Sequence, residues 1–100
     1  MTTLVTAHDI LDAAGRHLRD RAPTYDSPDG ERSMASTVAA FGVITGLHLT
    51  EMEGYTFLAL LKMVRVYHAS GYHADSYEDA AAYLALAGEA EANASALCEP

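Results

Sequence analysis

The sequence predicts an all-α domain, a compact four-helix bundle with a central, apolar third helix. Three observations predict it. Apolar residues recur at three- and four-residue steps in four separate stretches. No stretch alternates apolar and polar residues strictly enough to read as a strand. Helix-start patterns precede the first and third stretches, at Thr6 and Thr50, and glycine closes the second and third, at Gly46 and Gly71.

The first helix starts after Thr6, which can cap it with Asp9 at the third helical position. Ile10, Leu11, Ala14 and Leu18 make its apolar stripe, and Asp12 and Arg16 can pair on the exposed side. It should fade near Ala22, because proline disfavours helix at the residue before it. Residues 23–30, with two prolines, two aspartates and a glycine, read as a loop. Tyr25, its one large side chain, either anchors the loop on the helices or is offered to a partner.

The second helix should run from about Glu31 to Thr45, with Met34, Val38, Phe41 and Ile44 or Thr45 as its stripe and Gly46 as its stop. The third has the strongest start, the Thr-x-x-Glu capping box of Thr50 and Glu53. Apolar residues from Met52 to Tyr67 surround most of it. Such a helix belongs in the middle of a bundle or at a subunit interface, which leaves a homodimer open. The fourth should start near Asp75 or Ser76 and carry Ala80, Tyr83, Leu84 and Ala87. The reading is one domain over residues 1–100, with a core of about 6–92 and a fraying tail over 93–100.

Charge narrows the function classes. The formal net charge is −8, which disfavours direct nucleic-acid binding, since such proteins gather Lys and Arg on one face. Residues 1–65 hold all six basic residues and eight acids, whereas Val66 to Pro100 holds six acids and no Lys or Arg. The acidic half is either a solvated face that keeps the chain soluble or a surface for a basic partner. The one cysteine, Cys98, allows no internal disulfide and no cysteine metal knuckle. No signal peptide is visible, and the longest apolar-rich run is too short and too charged to span a bilayer, so a cytoplasmic protein with no membrane partner is expected.

No catalytic constellation stands out, and neither a metal nor another cofactor is expected. Glu51 and Glu53 diverge by about 200° on a helix and suit its first turn. Asp75 and Asp79 could share a face, but capping accounts for Asp79 as well. His68 and His73 lack zinc-ligand spacing, and His68 suits a helix C-terminus. No serine lies in a nucleophile elbow and no glycine run cradles phosphate. Lys62 and Arg65, set in the apolar third helix, are expected to pair with Asp75 and Asp79 as a structural clasp.

Several segments carry a resemblance: Asp20-Arg-Ala-Pro-Thr-Tyr-Asp26, Gly30-Glu-Arg-Ser-Met34, Lys62-Met-Val-Arg65, His73-Ala-Asp-Ser-Tyr-Glu-Asp79 and Ala82-Tyr83. Together, over roughly residues 8–92, they resemble a family of small proteins of phages and prophages of proteobacteria. That family is compared with MazG-like nucleotide pyrophosphohydrolases, which are helical and use Mg²⁺. The chain also resembles the small acidic type I-F anti-CRISPR proteins of Pseudomonas phages.

The two resemblances imply different functions. A MazG-like enzyme would need a Glu-Glu-x-x-Glu motif, which this chain lacks, and a second acidic motif, for which only Asp75 to Asp79 could stand in. An anti-CRISPR protein needs no active site. It implies binding to a host CRISPR-Cas ribonucleoprotein complex of type I and blocking of target DNA by steric occlusion and acidic competition. On that reading the expected partner-binding residues are Tyr25, Asp26, Asp29, Glu31, Asp75, Glu78 and Asp79.

Overall fold

The computed structural model describes the backbone of residues 4–25 and 33–98, and the side chains of residues 4–20 and 33–96. The described residues form helices α1 (Ala7–Tyr25), α2 (Ser33–Thr45), α3 (Glu51–His68) and α4 (Ala74–Cys98), with no strand among them. The helices pack in the spatial order α2, α3, α4, α1. The dominant contact is α3 on α4, α1 rests on α4, and α2 touches the rest mainly through α3.

Local chemistry explains the boundaries. The α1 start is a reciprocal cap: Thr6 Oγ1 accepts from the Asp9 N–H at 3.1 Å, and Asp9 Oδ2 accepts from the Thr6 N–H at 3.0 Å. The same box opens α3, where Thr50 Oγ1 accepts from Glu53 at 3.1 Å and Glu53 Oε1 accepts from Thr50 at 2.9 Å. Each box satisfies two backbone donors that a helix start leaves without partners. Gly46 follows α2 at φ +75°, a left-handed conformation that costs glycine least.

Several boundaries differ from expectation. Helix α1 continues through Pro23 to Tyr25. Proline fixes φ at a helical value, and in the last turn its missing N–H removes one ladder bond rather than breaking a helix interior. Helix α2 is described from Ser33, and Glu31 lies outside the described residues. Helix α4 starts at Ala74 and runs on to Cys98, taking in most of the expected tail, which its alanine content favours.

The core is small-residue packing around a few large side chains. Met34 on α2, Tyr55 on α3 and Ala87 on α4 are buried together, with Val38, Met52, Leu58, Tyr83, Leu86 and Ala90 packed against them. Gly54 makes the close approach of α2 possible. A Cβ there would collide with the Met34 sulfur and lie 3.0 Å from Val38 Cγ1. On α1 the buried residues are Ala13 and Ala14, with Ile10 and Leu18 half-buried and Leu11 exposed, so the stripe takes Ala13 in place of Leu11. Asp12 and Arg16 form no ion pair, and both are exposed. On α2, Met34 and Val38 face the core as expected, but Ile44 is 82% exposed.

Helix α3 is not enclosed all round by its own chain. Tyr55 and Ala59 are buried on one side, whereas Phe57, Leu60, Val64 and Tyr67 on the opposite side are exposed. No helix among the described residues is long and apolar enough to cross a membrane.

Candidate functional site

The densest set of chemically capable side chains lies where α3 turns into α4. Helix α3 ends at His68, which is exposed at the negative end of the helix dipole, as expected for that residue. The Ala69 N–H then donates to the Val66 carbonyl at 3.3 Å and closes the last turn. Gly71, at φ +118°, reverses the chain in a conformation that other residues rarely adopt. Tyr72 and Tyr77 stack across the turn with ring centroids 5.7 Å apart and planes 29° apart.

The start of α4 is capped by a local pair. His73 Nδ1 lies 2.7 Å from Ser76 Oγ, and the Ser76 N–H donates to the His73 carbonyl at 3.2 Å. A histidine nitrogen beside a serine hydroxyl is the geometry of an activated nucleophile. Ser76 is 1% exposed, however, so a substrate has no access to that hydroxyl. The pair instead satisfies a buried polar group at a helix end.

Two ion pairs tie this turn to the neighbouring helices. Lys62 Nζ on α3 lies 3.0 Å from Asp79 Oδ2 on α4, with both side chains mostly buried. This is half of the expected clasp. The other half is absent: Arg65 and Asp75 are both exposed and form no ion pair with each other. His17 Nε2 on α1 lies 2.7 Å from Glu78 Oε1 on α4, a contact between residues 61 apart in sequence. His17 was visible in the sequence, but nothing local pointed to its partner. The Tyr72–Tyr77 stack was equally hidden, although two tyrosines five residues apart just after Gly71 are the one signal that could have suggested it.

The expected partner-binding acids therefore divide. Asp75 is exposed on the first turn of α4. Glu78 and Asp79 are turned inward to His17 and Lys62. Asp79 is also not a cap, because α4 begins five residues before it. Tyr25 closes α1 with its side chain outside the described residues, and Asp26, Asp29 and Glu31 also lie outside them. Further along α4, Glu89 and Glu91 are exposed and add acidic surface that the expected set omitted.

Among the described residues no three His, Cys, Asp or Glu side chains gather closely enough to hold a metal ion. The clearest electrostatic effect lies away from the turn. The carboxyl of Asp9 is held below the usual carboxylate range, first by the hydrogen bond from the Thr6 backbone and then by the one involving its side chain.

Fold and site together define a small helical-bundle protein in which two ion pairs, His17–Glu78 and Lys62–Asp79, join α4 to α1 and α3. A family model matches residues 9–91, and the chain belongs to that family, the domain of unknown function DUF6378. No curated protein and no solved structure matches the chain.

Proposed function

We propose that this protein acts by binding another macromolecule rather than by catalysis. Its partner is a host CRISPR-Cas ribonucleoprotein complex of type I, which it keeps from target DNA in the cytoplasm of the bacterial cell. The observation that carries the reading is the segregation of charge. From Val66 onward there are six acids and no Lys or Arg, and Asp75, Glu89 and Glu91 are exposed along one helix. Asp75 and Glu91 stand about 24 Å apart along the helix axis at 1.5 Å per residue, so the exposed acids are spread over most of its length. Guided complexes hold DNA through basic channels, and an acidic helix competes for the same side chains. Of the carboxylates that a pyrophosphohydrolase would draw on, Asp75, Glu78 and Asp79, the last two are engaged by His17 and Lys62.

The test is a band shift with a purified type I complex and labelled target duplex. Pre-mixing the complex with the protein should suppress duplex binding. Replacing Glu89 and Glu91 together with glutamine should weaken that suppression, and raised salt should weaken it further. Undiminished duplex binding at a large molar excess of protein rules the mechanism out for that complex.

A further inference from the structure

The outer faces of α2 and α3 have no cover among the described residues. On α3, Phe57, Leu60, Val64 and Tyr67 recur at three- and four-residue steps, opposite the side that buries Tyr55 and Ala59 against the rest of the bundle. Tyr67 is 87% exposed. On α2, Val43 is also 87% exposed, and the whole helix, Ser33–Thr45, contains no charged residue. A helix that meets water on its outer face normally carries charge there. An apolar run of this extent on a small domain marks an interaction surface.

The area indicates what covers it. The chain exposes 7488 Å². A folded monomer of 10.7 kDa is expected to expose roughly 5,500 Å², which leaves an excess of about 2,000 Å². Two chains that each hid half of that excess would bury about 2,000 Å² in total, the lower end of the range for obligate homodimers. The radius of gyration agrees: 15.6 Å, against roughly 13 Å for a compact domain of 100 residues. Charge composition favours a second copy over a lipid surface, because α2 offers no Lys or Arg to anionic headgroups. The uncharged face of α2 meeting itself buries no unpaired charge, as a twofold interface requires, and Glu53, at the N-terminal end of the α3 face, is held by its bond from the Thr50 N–H.

We propose that a second copy of this chain covers the outer faces of α2 and α3, in a twofold-symmetric dimer. This goes beyond the inhibitor reading and does not depend on it.

The experiment is size-exclusion chromatography with light scattering, paired with circular dichroism, on the full chain. The wild type should have a mass of about 21 kDa, twice the 10.7 kDa of one chain. Val43→Glu and Tyr67→Glu should each raise the dimer dissociation constant at least tenfold, or abolish the helical signal. Either result supports the proposal, because a side chain that open in a lone chain could take a charge without effect. Leu11→Glu, on the exposed side of α1, should stay dimeric. A folded wild type with the mass of one chain overturns the proposal. So does a dimer that survives both Val43→Glu and Tyr67→Glu, a dimer that Leu11→Glu also dissociates, or an assembly larger than two.

Discussion

Replacing Asp79 with alanine removes the carboxylate that faces Lys62 at 3.0 Å and leaves the ammonium between α3 and α4, where its side chain is only 16% exposed. Removing one partner of a fully buried pair costs about 3–5 kcal/mol, because the surviving charge stays desolvated. Two features of this site reduce that figure. The pair is not fully enclosed, and the long lysine stem can swing its head toward water. A loss of about 2 kcal/mol follows, and for a domain of this size that lowers Tm by roughly 8–16 °C. The assay is thermal unfolding followed by circular dichroism at fixed protein concentration. The double variant Lys62→Met/Asp79→Leu should recover most of the loss, since replacing both charges with apolar side chains leaves none stranded. An Asp79→Ala melting curve that overlays the wild type refutes the reasoning. It would show that Lys62 reaches solvent at no cost and that the pair contributes nothing to the α3–α4 contact.

Three other outcomes follow from the packing. Gly54→Ala gains about 1 kcal/mol in helix propensity but forces a Cβ into Met34 and against the stiff Val38 side chain, a strain of about 1–3 kcal/mol, so Tm should fall by several degrees. Denaturant titration checks this, and an unchanged or raised midpoint would mean that α2 shifts freely on α3. Glu78→Ala should cost about 0.5–1 kcal/mol, since His17 is 37% exposed and solvent screens the pair. Hydrogen exchange should show the extra opening in α1, the helix this contact ties to α4. Asp9 supplies a pH signature. Its folded pKa is lowered, so its contribution is present above the unfolded value and is lost as pH falls through the folded value. Protection factors of the first-turn amides of α1, which correct exchange for its intrinsic pH dependence, should therefore fall on acidification below about pH 4, and Asp9→Asn should remove that dependence.

What could be read from the sequence was what local rules govern. The capping boxes at Thr6 and Thr50 formed as expected, because their partners lie three residues apart and share one turn of backbone. The left-handed stop at Gly46 is equally local. Lys62–Asp79 was accessible because a short turn must fold α4 back on α3, which narrows the choice of partners. Helical phase relative to the rest of the chain was harder. The α1 stripe kept Ile10, Ala14 and Leu18 but took Ala13 in place of Leu11, because an alanine permits closer packing on α4 than Leu11 would. The residue before Pro23 stayed helical because a last turn tolerates what an interior does not. The inward direction of Glu78 depends on His17, 61 residues away, and no periodicity reports that distance.

The inward turn of Glu78 and Asp79 also changes what the net charge of −8 means. Of the five acids on α4, Glu78 and Asp79 are committed to cations on α1 and α3, and Asp75, Glu89 and Glu91 are exposed. The exposed acids Glu89 and Glu91 lie toward the far end of α4 from the α3–α4 turn. The apolar run proposed as an interface lies on other helices, on the outer sides of α2 and α3. A pair of chains joined there would hide its apolar area and keep two acidic helices in water. That division gives the two proposals different mutational signatures. Val43→Glu acts on assembly, whereas charge removal at Glu89 and Glu91 acts on partner binding while the mass of the assembly stays the same.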